Sequence, residues 1–324
     1  MSDIGFISSR PGVGYLRWKG LLLDVDGTLT FRGRLIPGAE VALTEFRRRG
    51  LLLRFATNID SRPPESVRAH LLGLGLDVRS GEVINPPLVA LRLMQAEPDR
   101  CWHCLVGPDL EDFLRPRAFA GQQAGRPAGA SAGQDLQEYA SGGRQVDRVL
   151  VGYCPQVDYR MLNEAFRQLL GGADLVALQK GRYFFAPDGT NLDTGALVAA
   201  LEYASGKQAR VLGKPARDFF AMCLEDLGLA PDEVAVVGDD PASDVAGARA
   251  VGAFAILVRT GKSAAAVGRG RQRAEGEGPL GSTGGPSGCA GGVAGGPTQG
   301  ADAGPGATHP DLVVDSVADV LRWL

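Results

Sequence analysis

Leu21-Leu22-Leu23-Asp24-Val25-Asp26-Gly27-Thr28-Leu29-Thr30 decides how this chain folds. An apolar run of strand length ends in two aspartates one residue apart, then a glycine and a threonine. Residues i and i+2 of a strand point to the same side. As the chain begins to turn, both carboxylates can face one site above the sheet edge. Two carboxylates this close repel unless something cationic neutralises them, and a hard divalent ion such as Mg²⁺ suits oxygen ligands. Gly27 permits the sharp exit that a side chain would block. Taken alone, the stretch also fits an apolar strand closed by an Asp-Gly turn. Three segments downstream separate the two readings.

Around this stretch, strands and helices alternate. The strand Gly20 to Val25 is followed by a helix from Ala39 to Arg49, which Gly50 stops. A strand from Leu51 to Ala56 ends in Thr57-Asn58, and helices follow from about Pro63 and over Pro86 to Ala96. After a second set of elements, a strand from Ala209 to Leu212 leads into Gly213-Lys214-Pro215. Another, from Val234 to Val237, leads into Gly238-Asp239-Asp240. This alternation predicts an α/β fold with a parallel sheet covered by helices. The stretch between Asn58 and Lys214 leaves room for the rest of the core plus a domain of about 100 residues.

The expected organisation is therefore an arm over residues 1–18, a core over 19–97 and 208–324, and an inserted domain over 98–207. Residues 118–143 and 264–310 are rich in Gly and Ala without periodicity. They read as a flexible insertion and a disordered loop, because they cannot bury enough apolar surface to offset their ordering entropy.

Four expected strands thus end in polar residues: Asp24 and Asp26, Thr57 and Asn58, Lys214, and Asp239 with Asp240. Ligands of open parallel sheets sit beyond the carboxyl ends of the strands. The residues that converge there are complementary: one carboxylate to attack, a second to move protons, a hydroxyl and an ammonium to hold an anion, and a third carboxylate for a metal. Each segment alone has a plain structural reading: a helix cap for Thr57-Asn58, a surface charge for Lys214, a turn for Gly238-Asp239-Asp240. All four together point to a site.

The four segments resemble the four motifs of the haloacid dehalogenase superfamily: Asp24-Val25-Asp26-Gly27-Thr28, Thr57-Asn58, Gly213-Lys214-Pro215, and Gly238-Asp239-Asp240 through Asp244. The large insertion between the second and third resembles subclass IIA. Within it, Lys180-Gly181-Arg182-Tyr183, Ala199 to Ala204 and Val258-Arg259-Thr260-Gly261-Lys262 resemble the group of phospholysine phosphohistidine inorganic pyrophosphate phosphatase and haloacid dehalogenase-like hydrolase domain-containing protein 2. The resemblance implies a Rossmann-like parallel-sheet core with an inserted α/β cap domain. It implies a Mg²⁺-dependent phosphatase that hydrolyses a phosphate ester, phosphoamide or pyrophosphate through an aspartyl-phosphate.

By the same resemblance Asp24 is the nucleophile and Asp26 the acid and base. Thr57, Asn58 and Lys214 bind the phosphoryl oxygens. The side chains of Asp24 and Asp239 and the carbonyl of Asp26 hold the metal, with Asp240 and Asp244 behind them. Where the group places a polar residue after Thr57-Asn58, this chain has Ile59. That makes Ile59, with Lys180 and Arg182 of the cap loop, a candidate for specificity. A catalytically weak phosphoprotein-binding or regulatory module on the same fold is the alternative. Asp26, which a binding module need not keep, favours the enzyme. It also disfavours carbon–halogen hydrolysis, which needs no acid to protonate a halide.

Composition bounds the remaining classes. The 324 residues carry a formal net charge of -3, which implies neither a nucleic-acid nor an acidic-membrane surface. Five scattered cysteines argue for a reducing compartment rather than a disulfide framework. No signal-peptide core and no span-length apolar run is visible, so a soluble, cytoplasmic protein is expected. The expected partners are a small phosphorylated substrate or phosphoamino acid, and a second copy in a homodimer. Cys101-Trp102-His103-Cys104 has metal or redox spacing, but no further ligands accompany it and it lies in an expected strand.

Overall fold

The computed structural model describes residues 18–118, 145–186, 189–261 and 309–324. Strand β1 (Gly20–Leu23) is buried throughout. Leu22 points into one apolar cluster, while Leu21 and Leu23 point into another. That two-sided burial is why the strand is continuously apolar. A short antiparallel ribbon, β2 (Thr30–Phe31) and β3 (Arg34–Leu35), follows. Helix α1 (Ala39–Arg48) buries Ala39, Ala42, Leu43 and Phe46 on one face. Then come β4 (Leu52–Ala56), α2 (Pro64–Gly73), β5 (Val83–Ile84) and α3 (Pro86–Ala96). Asn85 caps α3, accepting from the Leu88 N–H, with proline in the first turn where no N–H is needed.

The middle of the chain builds a second sheet. It contributes β6 (Trp102–Leu105), α4 (Pro108–Ala118), β7 (Arg148–Val151), α5 (Tyr159–Leu170) and β8 (Asp174–Ala177). The hairpin of β9 (Tyr183–Ala186) and β10 (Gly189–Leu192) leads to α6 (Thr194–Ser205) and β11 (Arg210–Val211). The four parallel strands run in the order β11-β8-β7-β6.

The chain then returns to the first sheet. Helix α7 (Arg217–Leu227) precedes β12 (Val234–Gly238), a π turn over Pro241–Val245, and α8 (Ala246–Val251). Strands β13 (Phe254–Val258) and β14 (Leu312–Val314) and a 3-10 turn over Val317–Trp323 complete it. The six strands are parallel, in the order β14-β13-β12-β1-β4-β5, with β1 between β12 and β4. The fold is α/β with a Rossmann-like parallel central sheet.

Several expectations change. The strand before Lys214 was placed in the core, but β11 pairs with β8 in the second sheet. Lys214 therefore approaches the first sheet from the second layer. The arm was drawn through residue 18, yet Trp18 is buried against Phe254, with ring centroids 5.1 Å apart; its apolar area outweighs the local Gly and Pro signal. The disordered loop was drawn to 310, but the His309 carbonyl accepts from the Arg249 guanidinium at 2.9 Å. The remainder of the loop, residues 264–308, lies outside the described residues. So do residues 119–143 of the other insertion; Ala118 ends α4. Among the described residues, no helix is long and apolar enough to cross a membrane.

Candidate active site

The chain leaves β1 at Asp24, whose carboxylate is buried and held at both oxygens. The Lys214 ammonium lies 2.5 Å from Oδ1, and the Thr28 hydroxyl donates to Oδ2 at 3.1 Å. Burial alone would lower the lysine. Asp24 and Asp244 at its ammonium outweigh that and hold it above its ordinary range. Lys214 is thus a fixed cation at the nucleophile candidate. Its backbone is fixed too: its N–H donates to Asn58 Oδ1 at 2.8 Å, and its carbonyl accepts from Asn58 Nδ2 at 3.0 Å. This two-way clasp joins the β4 loop to the Lys214 loop. Thr57 is buried, and its hydroxyl accepts from the Ile59 N–H at 3.2 Å.

Asp26 lies at an opening to solvent, yet protein crowds its carboxyl. That desolvation, and then the Asp24 charge, raise it above the usual carboxylate range; the Thr30 hydroxyl, donating at 3.0 Å, works the other way. The Asp24 and Asp26 carboxyl groups therefore have different surroundings, the condition for one to attack and the other to carry a proton.

Asp24, Asp239 and Asp244 are buried, and one carboxylate oxygen from each lies within 4.8 Å of the others. The packing that allows this is glycine-lined. A Cβ on Gly27, whose φ is 103°, would sit 2.3 Å from the Asp239 carboxylate, and one on Gly261 would also sit 2.3 Å from it. Gly238 leaves the same room for Asp244. An all-oxygen, buried, mutually repelling donor set fits a hard cation. Asp244 was expected behind Asp24 and Asp239; its oxygen stands with theirs, and it also accepts from Lys214 at 2.6 Å. Burial pushes the Asp244 carboxyl up and the Lys214 ammonium restrains it. Asp240 caps the π turn, accepting from the Ala242 N–H at 2.9 Å.

The three specificity candidates differ in their surroundings. Ile59 packs half-buried against the core cluster of β1 and β4. Lys180 is paired with Glu202 of α6 at 2.9 Å. Arg182 is exposed. Sequence reasoning missed Thr28 as an Asp24 partner, Gly261 as a wall of the acidic group, and Asp60. The last is buried beside the second sheet, where it accepts from the Thr194 hydroxyl at 2.6 Å. A pattern of glycines and threonines near motif ends was the only signal for the first two. Of the set-aside CxxC pair, Cys104 lies in β6, and burial pushes its thiol up to about 12, far from a reactive thiolate.

The chain is similar to known proteins in sequence and in fold. A family profile described as haloacid dehalogenase-like hydrolase matches residues 21–120, and one described as HAD-hydrolase-like matches residues 211–275. Haloacid dehalogenase-like hydrolase domain-containing protein 2 of Rattus norvegicus is 34% identical over 249 residues, 76% of this chain and 86% of the relative. Phospholysine phosphohistidine inorganic pyrophosphate phosphatase of Danio rerio is 35% identical over 250 residues, 75% and 84% of the two chains.

Among solved structures, p-nitrophenyl phosphatase from Archaeoglobus fulgidus shares the fold. Its TM-score is 0.70 at 22% identity, over 95% of this chain and 99% of that one. A glycerol phosphate phosphatase from Mycobacterium tuberculosis in complex with magnesium gives 0.64 at 26% identity, over 76% and 68%. With relatives this similar over most of their length, and Asp24, Asp26, Lys214 and Asp239 each at the exit of the strand or loop where the motifs require them, the chain belongs to the haloacid dehalogenase-like hydrolases.

Proposed function

We propose that the protein is a Mg²⁺-dependent phosphatase that hydrolyses a phosphate ester, phosphoamide or pyrophosphate through an aspartyl-phosphate on Asp24. The observation that carries this reading is the contact of Asp24 with a buried lysine on one oxygen and a hydroxyl on the other. That holds a nucleophile in one orientation while an ammonium waits for anionic oxygens. Phosphatase relatives and a magnesium-bound neighbour support it.

The chain's own groups supply the steps. Asp24 attacks phosphorus, and its Oδ–P bond forms as the bond to the leaving group breaks. Asp26 gives its proton to the leaving group, then takes one from the water that cleaves the acyl phosphate and frees Asp24. Lys214 and Thr57 hold phosphoryl oxygens against the charge that develops. Asp24 and Asp239 and the Asp26 carbonyl would hold Mg²⁺, with Asp244 in reach; when bound, the ion neutralises carboxylate charge so that an anionic substrate can approach. The second layer serves as a cap that reads the rest of the substrate, with Arg182 an exposed cation of its hairpin approach.

The test is phosphate release over phosphoamino acids, pyrophosphate, sugar phosphates and p-nitrophenyl phosphate. The wild type is expected to turn over at least one, Asp24→Asn none, and chelation is expected to remove activity that added Mg²⁺ restores. Activity retained by Asp24→Asn would refute the aspartyl-phosphate route.

A further inference from the structure

The loop after β4 carries more than the Thr57–Asn58 pair. Asp60 lies two residues beyond Asn58 and is 4% exposed. Its Oδ2 accepts from the Tyr153 N–H at 3.1 Å and from the Thr194 hydroxyl at 2.6 Å. Both donors belong to the second layer: Tyr153 follows β7, and Thr194 opens α6. Gln179, just past β8, lies next to this contact. The Gln179 amide donates to Asp193 Oδ1 at 2.5 Å and accepts from the Gly181 N–H. Gly195 packs closely on the same turn: a Cβ there would sit 2.4 Å from the Gly181 carbonyl. The end of one strand and the start of one helix thus meet on a single carboxyl group from the first layer.

The same loop is fixed on its other side. Buried Asn85 donates to the Ile59 and Arg62 carbonyls, each at 3.0 Å, and the Ile59 N–H donates to the Thr57 hydroxyl. The Ile59 N–H bond to Thr57 and the peptide chain itself thus connect Asp60 to Thr57 and Asn58. A carboxylate is an expensive group to bury, and an apolar contact between layers would need none. Its placement here is informative because it joins the layers by directional bonds at the loop that the phosphatase reading assigns to phosphate.

We propose that Asp60 is a positioning residue, the latch through which the second layer sets the Thr57–Asn58 loop. The proposal rests on the phosphatase reading. The groups that face Asp60 are the Thr194 hydroxyl, the Tyr153 N–H, the Gln179 amide and the Asp193 carboxylate. Burial chiefly, with Asp193 adding and Thr194 and Gln179 opposing, pushes the Asp60 carboxyl up to about 7. An ionised acceptor grips its donors more strongly than a neutral one. The latch is tightest above that pH and relaxes below it.

The experiment compares Asp60→Asn with wild type on p-nitrophenyl phosphate and Mg²⁺ across pH. At about pH 8 the variant is expected to lose roughly threefold to tenfold in kcat/KM; at about pH 5.5, where the wild type is itself protonated, the two should agree within about 1.5-fold. A ratio that is flat with pH overturns the latch, because loss of packing alone does not titrate. A second measurement is the urea-unfolding cycle of Asp60→Ala with Thr194→Val, expected to show at least about threefold coupling in the unfolding constant. Additive effects overturn the latch alone. A wild type that releases no phosphate from any substrate of the screen overturns the phosphatase reading, and the positioning role with it.

Discussion

Asp26 stands two residues beyond Asp24, and its raised carboxyl gives it a role that Asp24, bound to a lysine, cannot fill. A carboxyl above its ordinary range keeps its proton to higher pH, so it can donate to a leaving group. Asp26→Asn is expected to cost about 10²–10⁴-fold with an alkyl phosphate and much less with p-nitrophenyl phosphate, whose leaving group needs little protonation. In the wild type, turnover of the alkyl ester should fall as pH rises through the Asp26 range, while that of the aryl ester falls less. The measurement is kcat for both esters across pH; equal losses would show that Asp26 is not the acid. The residues in this argument were legible because each follows an apolar strand. Asp60 was not, because its partners Tyr153 and Thr194 lie 93 and 134 residues away, and nothing local distinguishes it from a turn aspartate.

At the scale of elements, the exit from β1 depends on what glycine leaves out. Gly27→Ala meets two obstacles, a φ of 103° and the Asp239 carboxylate 2.3 Å from the new Cβ. Gly33, in the turn of the β2–β3 ribbon, has φ of 74° and nothing within 4 Å. Both substitutions should destabilise by about 1–3 kcal/mol through strained backbone. Only Gly27→Ala should also cost catalysis, by about a hundredfold or more in kcat/KM, because it displaces the Asp239 carboxylate. Denaturation and p-nitrophenyl phosphate kinetics on the pair separate the two effects; equal kinetic losses would mean that the acidic group is not what Gly27 protects.

Helix α3 was read from sequence with its ends correct, since prolines mark its first turn. The two-residue β5 was too short to show a period. The β11 strand was legible as a strand but not as a member of the second sheet, because alternation of elements does not encode which sheet a strand joins.

The whole molecule is held by packing that does not respect the division into two sheets. One apolar cluster contains Leu22 of β1 and Phe219 and Phe220 of α7. It also contains Trp102, Leu150 and Val176 of the second sheet, with Ala90 and Met94 of α3 and Leu110 and Leu114 of α4 between them. A separate cluster with Val149, Val151, Ala165 and Val198 belongs to the other face of the second sheet. Buried area is what makes two layers cooperate, and it is set by contacts far apart in sequence. The two layers should therefore unfold together. Leu150→Ala, in the shared cluster, should cost about 2–5 kcal/mol. It should lower a single unfolding transition seen alike by circular dichroism and by tryptophan fluorescence, since Trp18 lies in the first layer and Trp102 in the second. Two transitions, with only the Trp102 signal moved by Leu150→Ala, would show that the second layer is an independent lid joined by its linkers and by Asp60 alone.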